Sequence, residues 1–298
     1  MKSLKAIAVA LIAGVALPAG IAAKPVLVVS SDDAFHGAIA AGFKSSFTKP
    51  MDEYNLRGLE DEARRLGKGF SAAKPELLIV VGNLAAKMAK ENCSGCTILY
   101  AAASNAGALK LAGTNVYGIS SQPSANRIME NVKIVFPQAQ KVGVIYQPAS
   151  VGKEISALQA AAAKFGLKLV AEPISQMKEI PTALNKIMPN IDLYLMLDDP
   201  AVITDDTFPF IFMNCFQKKI PIFATSSEIL KKCAIAGYGY APEQLGAELA
   251  AFAKDILAKK AGAKDKTASA KLFLNRKIAA MYNFAFPAQA SAQGADIQ

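Results

Sequence analysis

Val26–Phe43 reads VLVVSSDDAFHGAIAAGF. Four consecutive aliphatic residues stop at two serines and two aspartates, and an amphipathic pattern then begins around His36, the chain's only histidine. A continuous apolar run that gives way to small polar residues and helical spacing marks a strand covered on both faces that turns into a helix. The rival reading is an acidic metal or catalytic site on Asp32, Asp33 and His36. Ser and Asp are preferred helix N-caps, and no second histidine exists to complete a metal triad, so turn chemistry accounts for the segment. His36, about one turn into the helix, reads as a partly exposed surface residue.

The same alternation runs through the whole chain. Strand candidates are 25–30, 53–56, 77–82, 97–102 and 116–120, then 141–147, 168–174, 192–197, 220–225 and 233–238. Helix-length segments such as NRIMENVKIVF and EISALQAAAAKFG lie between them. Strands alternating with helices predict parallel sheets with helices on both faces. The candidates fall into two sets of five, which fits two modest sheets better than one very wide one. The expected fold class is therefore α/β, two doubly wound parallel-sheet lobes joined by hinge crossovers. Ser121-Gln122-Pro123 and Ala241-Pro242 are the expected crossings, which gives lobe I as 24–121 with 242–265 returning to it, and lobe II as 122–241. The stretch 286–298 lacks periodicity and is expected to be a mobile tail.

The first 23 residues stand apart. Lys2 and Lys5 precede the apolar run AIAVALIAGVALPAG, and Ile21-Ala22-Ala23 offers a small-residue cleavage point, so 1–23 reads as a signal peptide. No cysteine lies at that point, so a lipoprotein is not expected, and the reading is a periplasmic protein. Taking 23 from 298 leaves 275 residues and removes two of the 33 basic side chains and none of the 24 acidic ones, a formal +7. That excess is spread out, without arginine runs or aromatic–basic interleaving, so no nucleic-acid partner is expected.

Cys93 and Cys96 form a CSGC, while Cys215 and Cys233 remain for each other. Thr97 stands where a haem motif needs histidine, and the pair precedes a strand instead of opening a helix, which disfavours redox catalysis. A structural disulfide or two quiet thiols remain, with disulfides possible at all four positions. Only one pair has zinc-ligand spacing.

In open parallel sheets ligands bind beyond the carboxyl ends of the strands. Those positions hold Ser31, Asp32, Asn83, Ser104 and Ser121 in the first set, and Tyr146, Asp198, Ser226 and Tyr238 in the second. The serines, Asn83 and the aspartates are also preferred helix caps, and Asp199-Pro200 reads as a cap with proline at the first helical position. No G-x-S-x-G or P-loop occurs, and GYGYAP lacks the third glycine of a dinucleotide fingerprint. Neither catalysis nor a cofactor is expected.

KPELLIVVGNLAAKMA, NVYGISSQPSANRIMENVKIVFPQAQKVGVIYQPAS, DLYLMLDDPAVI and KKIPIFATSSEILKKCAIAGYGYAPEQLGAELAAFAKDIL occur in an order that carries a resemblance. The chain resembles the ABC-transporter substrate-binding proteins of the tryptophan/tyrosine-type group, which have the type I periplasmic-binding-protein fold. The resemblance implies a two-lobed monomer that closes on a small solute and delivers it to an ABC permease in the inner membrane. It also implies a third crossing that returns 270–285, with a strand near Leu272–Asn275, to lobe II. It supports Ser31, Asp32, Asn83, Ser121, Tyr146, Asp198 and Tyr238 as ligand-binding positions. An amino acid would place its carboxylate on hydroxyls and helix N–H groups and its ammonium on Asp198 or Asp32. The chain departs from the family pattern at Ala103-Ser104-Asn105, where many relatives carry Asp-Pro, at Cys233 in place of glycine, and in the CSGC. A sensory solute-binding partner of a receptor, or an exported thiol or carboxylate enzyme, are the alternative readings.

Overall fold

The computed structural model describes residues 24–93, 95–103, 109–204, 206–260, 262 and 265–297. The expected signal peptide and Ser104 lie outside these residues. The chain opens with β1 (Val26–Val29), α1 (Ala34–Ser46), β2 (Asp52–Asn55) and α2 (Glu60–Ala73). Then come β3 (Leu78–Val81), α3 (Asn83–Asn92), β4 (Ile98–Ala101), β5 (Val116–Ser120), α4 (Ala125–Val135) and β6 (Lys141–Tyr146). The middle holds α5 (Pro148–Lys164), β7 (Lys168–Pro173), α6 (Ile180–Ile187), β8 (Leu193–Met196), α7 (Thr207–Gln217) and β9 (Ile222–Ala224). After α8 (Ser227–Cys233), β10 (Ala236–Gly239) and α9 (Pro242–Leu257) follow β11 (Asp265–Thr267) and β12 (Lys271–Leu274). The chain ends with α10 (Arg276–Met281), α11 (Ala288–Gln293) and β13 (Ala295–Asp296). All ten strand candidates are strands, and β12 lies where the resemblance implies a returning one.

The strands form two sheets, ordered β11-β5-β4-β3-β1-β2 and β13-β12-β10-β9-β8-β6-β7. Apolarity sets position within each sheet. Val26–Val29, Leu78–Val81 and Leu193–Met196 are buried along their whole length and occupy central places, whereas β2, DEYN, alternates and lies at an edge. β1 pairs in parallel with both β2 and β3, and β6 with both β7 and β8. The strand order therefore reverses between β1 and β3 in one sheet and between β6 and β8 in the other. These are the topological switch points where α/β sheets bind ligands.

Two compact units result. One holds the residues up to His36 with Thr48–Gly118 and Phe252–Lys264; the other holds Gly37–Phe47, Ile119–Ala251 and Asp265–Gln298. The division passes through α1, β5 and α9, where the sequence places boundaries at 121 and 242. The first unit packs Val26, Val28, Leu78 and Val80 against Leu66, Phe70 and Met88. In the second, Leu193 and Leu195 of β8 face one core with Val142, Val144 and Phe223, while Tyr194 and Met196 face another with Ile145 and Ile222. Alternate residues of a single strand thus feed two cores, as a sheet covered on both faces requires.

Two expectations change. The stretch expected as a tail forms α11 and β13, because Ala290 is fully buried, Ile297 N–H donates to Leu274 O at 2.9 Å and Arg276 pairs with Asp296. All four cysteines are buried, and Cys215 and Cys233, expected to remain for each other, stand as separate free thiols. Cys233 Sγ contacts Met196 Sδ at 3.8 Å and Ile229 O at 3.4 Å and makes no bond to Cys215. Among the described residues no helix is long and apolar enough to cross a membrane.

Within the second unit α1 and α9 meet through glycine. A Cβ on Gly246 would fall 2.1 Å from Ile39 O and 2.6 Å from Phe43 N, and one on Gly42 would fall 2.0 Å from Glu243 O. These neighbours are backbone atoms and have no rotamer to yield. Gly246→Ala is expected to cost about 1–3 kcal/mol or more and to lower the melting temperature by about 3–10 °C in calorimetry. Gly37→Ala on the same α1, where a Cβ meets nothing, is expected to leave it unchanged or slightly raised.

Candidate functional site

At the β1/β3 switch point, Ser30 is 5% exposed, and its Oγ accepts the Ala85 N–H at 2.9 Å, which fastens the end of β1 to the first turn of α3. Asp33 then organises the next turn. Its Oδ1 accepts the His36 N–H at 2.9 Å, and its Oδ2 is 2.7 Å from His36 Nδ1. Partial burial acts to raise the Asp33 carboxyl, but the bonds from His36 outweigh it and hold the group below its ordinary value. With Nδ1 on Asp33, the other imidazole nitrogen turns over the β3–α3 turn. Gly82 there has φ +92°, and a Cβ on it would lie 2.4 Å from His36 Nε2 and 2.6 Å from Ser30 Oγ. Only glycine tolerates that backbone and that approach.

Ser31 is half-buried, and its Oγ accepts the Asp33 N–H at 3.4 Å; Asp32 is exposed beside it. Asn83 is half-buried at the first residue of α3. The structure brings these three together with His36, which the sequence reading set aside as a surface residue. The edge of the Phe35 ring lies against the imidazole, 5.4 Å between centroids. Ser121 is half-buried just past β5.

The β6/β8 switch point is acidic. Asp199 is 1% exposed; its Oδ2 accepts the Gln147 N–H at 2.9 Å and its Oδ1 the Ala201 N–H at 3.0 Å. That carboxylate joins the residue after β6 to the residues after β8. Asp199-Pro200 does not open a helix directly: turns follow, and α7 starts only at Thr207. Asp198 N–H donates to Thr225 Oγ1 at 3.3 Å. Burial, and then the charge of Asp199, push the Asp198 carboxyl up, an effect moderated by the solvent that reaches its exposed surface. Glu154 of α5 is also raised, by burial first and Asp199 last; its acceptance of the Gln122 amide at 2.6 Å opposes the rise. Among the described residues no lysine or arginine pairs with any of the three. Tyr146, half-buried, ends β6 beside this group.

Of two further candidates, Ser226 follows β9, next to the Thr225 whose hydroxyl accepts the Asp198 N–H, and Tyr238 stands in β10. Ser226 caps α8, accepting the Ile229 N–H at 3.3 Å. Tyr238, 7% exposed, lies under Arg127, whose Nε is 3.4 Å from the phenol oxygen and whose guanidinium carbon is 5.7 Å from the ring centre. The ring borders a cavity of about 460 Å³ lined also by Glu130, Lys271 and Gln289. Glu154 and Gln147 are site groups the sequence reading missed. Gln147 acts through its backbone, and Glu154 follows a break in α5 at Val151 that helical spacing does not disclose. Among the described residues no three His, Cys, Asp or Glu side chains are placed to hold a metal ion.

The profile of the family described as ABC transporter substrate binding protein matches residues 21–296. The chain belongs to that family. Its members are extracytoplasmic solute-binding proteins that work with ABC permeases; the family is not one of enzymes. A tyrosine-binding protein of Clostridioides difficile (strain R20291) is 26% identical over 240 residues, 76% of this chain and 69% of the relative. Two solved structures share the fold. The ligand-free, open form of a substrate-binding protein with adhesive properties from Clostridium difficile has a TM-score of 0.79 at 23% identity, covering 92% of this chain and 99% of that one. A Streptococcus pneumonia ABC domain in complex with L-Trp has a TM-score of 0.72 at 18% identity, covering 93% and 99%.

The raised Asp198 carboxyl links the β6/β8 switch point to stability. Its folded form holds the proton more tightly than the unfolded chain, whose ordinary value is 3.8. The resulting stability is full below that value and is lost as pH rises through the folded one. At neutral pH Asp198→Asn is expected to melt higher than the wild type by up to about 3 °C. The difference is expected to vanish near about pH 3, where both carboxyl states are neutral, as checked by paired melts across pH.

Proposed function

We propose that this substrate-binding protein holds a zwitterionic amino acid for an ABC importer. The observation that carries the reading is the group Glu154, Asp198 and Asp199 at the β6/β8 switch point. Asp198 and Glu154, without a basic partner among the described residues, form a ready site for a solute ammonium, with the buried Asp199 charge behind them. The β1/β3 switch point supplies complementary chemistry: the Ser31 hydroxyl, the first turn of α3, and His36 oriented by Asp33, all suited to a carboxylate. Phe35 and Tyr146 offer faces to an apolar or aromatic side chain, in keeping with the tyrosine and tryptophan named for the relatives.

On this reading the protein is a monomer without catalysis of its own, exported to the periplasm by residues 1–23 and closing two lobes on its solute. Transport is preferred to sensing because the family is that of ABC importers.

A thermal-shift screen across amino acids, sugars and dicarboxylates tests the proposal. An aromatic or large apolar amino acid at about 100 times its Kd is expected to raise the melting temperature by about 5 °C or more. Asp198→Asn is expected to lose most of that shift while remaining folded, and His36→Gln to weaken binding by about tenfold. Stabilisation by sugars and not by amino acids, or a full amino-acid response in Asp198→Asn, would overturn the assignment.

A further inference from the structure

Cys93 and Cys96 stand at the junction between α3 and β4, away from both switch points. Cys93 closes α3, its N–H donating to Ala89 O at 2.9 Å, and Cys96 N–H donates back to Cys93 O at 3.0 Å. That bond brings the two cysteines together. Both sulfurs face one turn of α2. Cys93 Sγ is 3.9 Å from Gly67 O and Cys96 Sγ 3.8 Å from Phe70 O, carbonyls three residues apart and so on the same side of that helix. The thiols also hydrogen-bond each other, a contact that lowers the Cys96 thiol and raises that of Cys93, with Lys74 adding to the fall at Cys96.

We propose that Cys93 and Cys96 are joined by a disulfide in the mature extracytoplasmic protein. Disulfides persist outside the cytoplasm, where this family works. The partner is a disulfide-bearing oxidant. The Cys96 thiolate attacks one of its sulfurs and expels the other as a thiolate, leaving a mixed disulfide. Cys93 then gives its proton to solvent and attacks the Cys96 sulfur, forming the Cys93–Cys96 bond and releasing the oxidant's second sulfur as a thiol. The chain loses two electrons and two protons, and the oxidant gains both.

Burial fixes the timing. At 1% and 2% exposure neither sulfur is reachable once α3 has closed on α2, so oxidation precedes that closure. The finished bond is then shielded from reductants, which separates it from the exposed, labile disulfides of redox enzymes. It fastens the end of α3, whose first turn belongs to the β1/β3 switch point, to β4. The inference is independent of the solute, so its failure leaves the functional reading intact.

The test is thiol labelling of the wild-type protein recovered from the extracytoplasmic fraction. Unfolded in alkylating agent without reductant, it is expected to label at Cys215 and Cys233 only. The tryptic peptide 91–110, which contains both Cys93 and Cys96, is expected two hydrogens lighter than its reduced form. Native protein in reductant is expected to keep the bond until denaturant is added. Cys93→Ser and Cys96→Ser are each expected to show a third labelled thiol and to melt about 2–6 °C below the oxidised wild type. Alkylation of Cys93 and Cys96 without reductant, or a bond from either to Cys215 or Cys233, would overturn the proposal. Because the decisive readout is the mass of a wild-type peptide, it stands even where a variant fails to fold.

Discussion

The buried carboxylate of Asp199 is the constraint on which the β6/β8 switch point depends. A charge at 1% exposure is tolerated only when its lone pairs are met, and the Gln147 and Ala201 N–H groups meet them. The two bonds fix where the chain leaves β6 and where it leaves β8, and so fix where Asp198 and Glu154 stand. The same charge raises both neighbours. Burial is the larger cause of both rises, so one side chain sets the geometry at this end of the sheet and adds to its electrostatics, and replacing it would unfasten the ends.

The β1/β3 switch point is built from a different economy of parts. Ser30 is the internal tie, and its hydroxyl is spent on Ala85. Asp33 is spent on His36, through backbone and ring together. This end presents amides, hydroxyls and one imidazole, with the exposed carboxylates of Asp32 and Asp33 to the side. The two units thus carry opposite tendencies at equivalent topological positions, one starved of positive charge and one rich in donors.

Much of the architecture is legible in the chain because buried parallel strands are continuous apolar runs: VLVV, LIVV and LYLM announce central positions, and the alternating DEYN announces an edge. Ser31, Asp32 and Asn83 follow from the same logic, since a strand end determines them locally. What local pattern does not carry is any role set by a distant partner. His36 reads as surface until Gly82, far along the chain, leaves room for its ring. Tyr238 reads as a strand-end residue, yet Arg127 covers it from a helix 111 positions away. Asp199 passes for a helix cap because Pro200 follows it, whereas its partner is the backbone after β6. The last segment lacks helical spacing and is ordered by single contacts of Ala290 and Ile297 instead.

The acidic group also explains how such a protein can be selective without a large enclosing surface of its own at either end. Asp198 and Glu154, raised by burial and then by the Asp199 charge, make the fold less stable at neutral pH than a neutral version would be. On the proposed reading, a cation beside them relieves that repulsion, so part of its binding free energy is strain relieved in the protein. A neutral solute of the same size would relieve nothing, and an anion would add to the repulsion. On that reading charge is selected by this unit and the solute's side chain by weaker and more forgiving apolar contact.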